Sequence, residues 1–141
     1  MSLFGALDLE DIAEVPDTGS YLFVLRGIRS IHTQSGKDFL VWEYVMEEED
    51  SDFNGESFDK WFRVYPNLTS LEDLSDDERR QVRRDFLSLR DWMRAHGVPE
   101  DELNDFNYEE LTGTRGYIYG YQSEPKDGGQ KRFNLTRFKM E

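Results

Sequence analysis

The sequence predicts a mainly β domain: a five-stranded antiparallel barrel with one main helix between strands 3 and 4. Two observations carry most of this. Five segments rich in aromatic and β-branched residues are separated by glycine-bearing turns, and only one long segment has helical spacing and a cap. The order is three strands, the helix, then a final hairpin. The 141-residue chain is long enough for one hydrophobic core, divided here into an acidic arm (1–18) and the folded domain (19–141).

The arm has apolar residues at Leu3, Phe4, Leu7, Leu9 and Ile12 with acids between them; a short docked helix and a loosely attached arm both fit. Pro16-Asp-Thr-Gly19 is turn chemistry and starts the sheet. The first strand runs Tyr21 to Ile31. The turn Thr33-Gln-Ser-Gly-Lys37 uses Gly36, which takes positive φ without steric cost. The second strand is Asp38 to Met46. An acidic loop, Glu47 to Asp52, leads to Asn54-Gly55, a strong short hairpin signal. The third strand, Ser57 to Tyr65, alternates: Phe58, Phe62 and Val64 share one face, and Trp61, Arg63 and Tyr65 share the other.

Pro66-Asn67 ends that strand. Ser75-Asp-Asp-Glu78 is a capping box and predicts a helix from Ser75 to about His96. Val82, Phe86, Leu89 and Met93 recur at helical spacing as its core-facing stripe; Gly97 is the expected C′ residue, and Pro99 blocks continuation. Six arginines (79, 80, 83, 84, 90 and 94) stand against five acids on this helix, which reads first as a solvated face of i,i+4 pairs and second as a phosphate-contacting face. Residues 100–111 read as a short acidic helix or turn. The fourth strand is Gly113 to Tyr121, with Tyr117, Tyr119 and Tyr121 on one face and Gly116, Ile118 and Gly120 on the other; these glycines imply a bend or a close backbone approach. Lys126-Asp-Gly-Gly129 turns the chain into the fifth strand, Gln130 to Phe138. A helix between the third and fourth of five antiparallel strands is the arrangement of an OB-fold barrel.

Composition narrows the function. With no cysteine there is no disulfide framework and no thiolate metal site, which is compatible with a reducing cytoplasm. No signal peptide is expected, and no stretch approaches the length of a membrane span. The net charge of −13 argues against a generic polyanion binder. It is unevenly placed: residues 1–18 carry five acids and no base, residues 47–59 seven acids and no base, and residues 113–141 six bases against three acids.

Catalytic signals are weak. His32 lies beside a turn and His96 at a helix end, where it would cap the helix dipole; neither sits in a triad arrangement. No P-loop, dinucleotide fingerprint or HExxH helix occurs, so no enzyme and no cofactor is expected. Asp50-x-Asp52-x-Asn54-Gly55 opens like a calcium loop, but position twelve is Trp61 and the flanks are strands, so it reads as an acidic loop.

The aromatic–basic face is the better signal, because single strands are bound by rings that stack bases and cations that track phosphate. The candidates are Trp61, Arg63 and Tyr65 on the third strand. Trp42 and Tyr44 on the second and Tyr119 on the fourth join them with their faces undetermined, and Arg115, Lys131, Arg132 and Arg137 form a possible second wall. The competing reading is that several of these aromatics fill the barrel interior.

Gly19-Ser-Tyr21, Thr33-Gln-Ser-Gly-Lys37, the apolar strand Phe39 to Met46, Phe53-Asn-Gly55, the helix from Ser75 and Leu111-Thr-Gly113 together resemble phage-encoded single-stranded DNA-binding proteins with an OB fold, over about residues 19–138. The resemblance implies non-catalytic binding of single-stranded DNA in replication, recombination or repair. The setting would be a host cytoplasm, with replication or recombination proteins as further partners, no membrane, and self-assembly left open. The chain departs from that family in lacking a clear acidic C-terminal tail. The alternative is an acidic protein-interaction module, or a DNA mimic that occupies another protein's nucleic-acid site. A third reading is a structural assembly protein using the aromatic face as an interface.

Overall fold

The computed structural model describes residues 3–8 and 12–141. Five antiparallel strands, β1 (Gly19–His32), β2 (Asp38–Met46), β3 (Ser57–Val64), β4 (Arg115–Ser123) and β5 (Arg132–Met140), form one sheet in the order β3-β2-β1-β4-β5. The main helix α1 (Asp76–Ala95) lies between β3 and β4, as expected, and the open sheet is consistent with an OB-like barrel. The short acidic segment resolves into a 3-10 turn (Glu100–Glu102) and a single helical turn, α2 (Tyr108–Leu111). Among the described residues no helix is long and apolar enough to cross a membrane.

β1 is the organising strand. Its first half pairs with β4 (Gly19 opposite Gly120, Phe23 opposite Gly116) and its second half with β2 (Ile28 opposite Trp42, His32 opposite Asp38). The register slips between Leu25 and Gly27, which leaves Arg26 as a bulge. A bulge re-aims every later side chain, so Phe23 and Leu25 face inward before it and Ile28 after it, and one strand serves both halves of the barrel.

The inner faces meet in a core of Phe23, Leu25, Leu40, Trp42, Tyr44 and Met46, joined by Phe62, Ile118, Leu135 and Phe138. β4 makes room with Gly116 and Gly120: a Cβ at Gly116 would sit 2.3 Å from the Phe138 ring, and one at Gly120 2.2 Å from the Phe133 ring. The close approach expected of these glycines is therefore real. Gly36, Gly55 and Gly97 all have positive φ, as their turn and cap roles require. Asn54-Gly55, however, is not a two-residue hairpin turn. Met46 and Glu56 close the ladder by backbone hydrogen bonding, so the pair ends a longer loop of successive turns.

The sheet does not close by a ladder between β3 and β5 among the described residues. Instead Lys60 Nζ donates to the Leu135 carbonyl at 2.8 Å, with the ammonium 5.4 Å from the Phe62 ring centroid and 5.5 Å from that of Trp92.

Helix α1 begins with the full capping box: the Ser75 hydroxyl accepts from the Glu78 amide, and the Glu78 carboxylate accepts from the Ser75 amide. Its packing corrects the sequence expectation. Trp92 and Met93 are buried, whereas Phe86 is 56% exposed and Val82 and Leu89 only half-buried. Only the last turns of the helix meet the core. The turns before them overhang a cleft, and the whole stripe from Val82 through Phe86 and Leu89 to Met93 lines it.

Of the arm, residues 3–8 form a turn with Leu3, Phe4 and Leu7 exposed, so this part is not a docked helix; Leu9, Glu10 and Asp11 lie outside the described residues. The arm's end is fastened to the β4–β5 hairpin. The Gln122 side chain donates to the Val15 and Pro16 carbonyls, and the Lys131 amide to the Glu14 carboxylate at 3.4 Å.

Candidate nucleic-acid interface

Strand parity places Trp61 and Arg63 on the outer face of β3, as the alternation predicted, and Tyr65 follows just beyond the strand's end at Val64. The β2–β3 register puts Phe39 opposite Arg63 and Val41 opposite Trp61, which adds Phe39 to the patch. Trp61 is 47% exposed and meets the Phe39 ring edge-on, with centroids 5.4 Å apart. The Arg63 guanidinium sits over two rings, 4.7 Å from the Tyr65 centroid and 5.8 Å from that of Phe39. Arg63 forms no ion pair among the described residues, and its buried Nε has no hydrogen-bond partner. Tyr65 is anchored from behind, its hydroxyl donating to the Asp85 carboxylate of α1; burial and this acceptor raise the phenol to about 12, so it stays protonated at neutral pH.

Two candidates are corrected. Trp42 and Tyr44 are fully buried and offer no surface to a ligand. They share the inner face of β2 with Leu40 and Met46; because β2 is an interior strand with apolar residues on both faces, its alternation alone could not show which side is the core. Tyr44 belongs instead to a polar chain inside the core. Trp92 Nε1 donates to the Tyr44 hydroxyl at 2.8 Å, the hydroxyl donates to His96 Nε2 at 2.7 Å, and His96 Nδ1 donates to the Trp92 carbonyl at 2.7 Å. With the hydroxyl donating to Nε2, His96 is neutral; a cationic ring would leave the Tyr44 proton without its acceptor, and burial lowers the His96 pKa to about 4. His96 thus caps the helix by a neutral hydrogen bond to a last-turn carbonyl and not as the cation expected at the dipole.

The basic residues separate into groups. Arg115 is held by Glu47 at 2.8 Å and Glu141 at 3.0 Å, and Lys131 by Glu124 at 3.6 Å. Arg132 is exposed without an ion pair among the described residues. Arg137 lies over the Tyr119 ring, 5.5 Å from its centroid, which makes a second aromatic–basic patch on β4 and β5. Tyr117 and Tyr121, both exposed, and Lys139, opposite Tyr117, extend it; the alternation of β4 already carried that signal.

The structure does not merge the two patches. Trp61 reaches Arg29 of β1 by way of Val41, whereas Tyr119 faces Ser20 of the same strand, roughly 30 Å of extended chain away. Between them Arg29 is neutralised by Glu43 at 3.5 Å and Asp59 at 3.2 Å.

Beside the β3 patch opens a cleft of about 690 Å³. Phe39, Arg63 and Tyr65 form one wall, Val82, Phe86 and Leu89 of α1 a second, and Leu103, Phe106 and Tyr108 a third. Among the described residues no group of three His, Asp or Glu side chains is placed to hold a metal ion. Compared with known proteins, the chain matches no family model and no curated protein.

Proposed function

We propose that this protein binds single-stranded DNA without catalysis, in replication, recombination or repair in a host cytoplasm, through the outer face of an OB-like sheet. The observation that carries the reading is Arg63. In a chain of net charge −13, where Arg29, Arg94 and Arg115 are all matched by carboxylates, this guanidinium lies over Phe39 and Tyr65 with no ion pair among the described residues. An exposed indole beside a desolvated, unmatched arginine offers one base a stacking surface and one phosphate a counter-charge. The Tyr119–Arg137 patch offers the same pair of groups farther along the face, and the resemblance of the turn glycines to phage single-strand binders points the same way.

Trp61 is the exposed one of three tryptophans, so its fluorescence reports binding directly. Titration with single-stranded oligonucleotide at low salt should quench it. Arg63→Ala should weaken binding and reduce the salt slope by about 0.7, the share of one phosphate on a single strand. Trp61→Ala, followed by anisotropy of a labelled oligonucleotide, should lose about 1–3 kcal/mol of binding with little change in melting temperature. Lost stability with intact affinity would remove the residue-level support. Undetectable binding by the wild type at low salt would overturn the reading and favour the acidic interaction module.

A further inference from the structure

We infer that the cleft beside β3 receives one nucleoside unstacked from the bound strand, with its phosphate held at the mouth by Arg63. This rests on the single-strand reading above and adds a second kind of contact to it, insertion next to surface stacking.

The cleft has the size and make-up of a small-ligand site: about 690 Å³, walled mainly by apolar and aromatic side chains with few polar groups. Its α1 wall explains an otherwise costly exposure. Phe86 is 56% exposed although it belongs to the helix's apolar stripe, and it faces a space that a flat ring can occupy. The mouth is continuous with the surface patch, since Phe39 touches Trp61 on one side and lines the cleft on the other. Arg63 lines the same mouth and has no ion pair among the described residues, so the outer edge of its guanidinium is the group a phosphate oxygen would meet.

Charge sets the direction of entry. The lining also carries Asp38, Arg90, Glu100 and Asp101; Asp38 is paired with His32, Arg90 with Asp91 and Glu100 with Arg94, whereas Arg63 and Asp101 have no ion pair among the described residues. The Asp101 carboxylate repels phosphate, so the backbone stays at Arg63 and the uncharged base goes inward. Asn104, also on the lining, offers both a donor and an acceptor to a base edge.

The test uses the full chain, isotope-labelled, with an oligothymidylate at low salt. Intermolecular NOEs are expected from thymine protons to the methyl groups of Val82 and Leu103. Phe86→Ala should lower affinity about fivefold, the low end of one stacked base, with the melting temperature close to wild type because the ring is exposed. Quenching of Trp61 together with no NOE to Val82 or Leu103 and unchanged affinity in Phe86→Ala would overturn the cleft and leave the surface reading intact. Absence of any wild-type binding would overturn both.

Discussion

His96 shows how a single side chain sets the chemistry of this core. Its ring stacks on Phe138 at 3.6 Å between centroids while both nitrogens are engaged, one by Tyr44 and one by the Trp92 carbonyl. A second ring proton would meet the proton that Tyr44 already donates. The folded pKa of about 4 lies below the unfolded value of 6.5, so between these the unfolded chain binds a proton that the folded one does not. This stability is fully present above pH 6.5, falls as pH drops toward 4, and levels off below, a loss of about 3 kcal/mol. Urea midpoints for wild type and His96→Gln from pH 7.5 to 4 check it: the variant should lack this step, and identical profiles would refute the assignment. The helix supplies a second contrast. Trp92→Ala should cost about 3–5 kcal/mol and Phe86→Ala less than about 1, because only the first ring is enclosed. Denaturant midpoints of equal size would place both residues in the same environment. The outward set Trp61, Arg63 and Tyr65 was legible in the sequence because β3 has one wet face and period two reports it. Trp42 and Tyr44 were not, since a strand apolar on both sides has no such contrast.

At the level of elements, what was local was readable. The Ser75–Glu78 box, the Gly97 stop and the Gly36 turn each depend on backbone groups a few residues away, and all three formed. The helix's packing face was misread because the stripe is a property of α1 alone, whereas the depth to which each turn enters the core depends on the barrel it meets. The two β4 glycines were readable as close approaches, though not as to what approaches. Their roles are testable. Gly116→Ala would put a methyl 2.3 Å from the Phe138 ring and 2.7 Å from the Lys139 carbonyl, and the backbone partner cannot swing away. The expected cost is about 1–3 kcal/mol of overpacking. Gly27→Ala, with nothing within 4 Å of the new methyl, should be nearly neutral. A melting temperature for Gly116→Ala equal to that of Gly27→Ala would show that the sheet relaxes freely there.

Across the whole molecule, strand count and the place of the helix were legible, but the manner of closure was not. No local signal announces that β3 and β5 approach without a ladder, since their residues are some seventy positions apart and meet only through the barrel. Nor could composition show that β1, bent at Arg26, is shared between two halves. The bridge from Lys60 to the Leu135 carbonyl has a consequence for how this protein behaves in concentrated solution. Two neighbouring strand edges with unmatched backbone groups are a template on which a second chain can add, the first step toward swapped dimers and fibrils. Lys60 places an ammonium group at that opening, where burial lowers its pKa, and a charge at an edge is costly for an incoming strand to cover. Lys60→Met keeps the stem that packs on Phe62 and Trp92 and removes the charge. The variant should fold yet show growing light scattering on storage at high protein concentration while the wild type stays clear; equally clear solutions of both would show that the edges are guarded by the sheet's own twist. On this account a single lysine, on the opposite face of β3 from the candidate interface, sets the concentration at which the protein remains a solution of separate molecules.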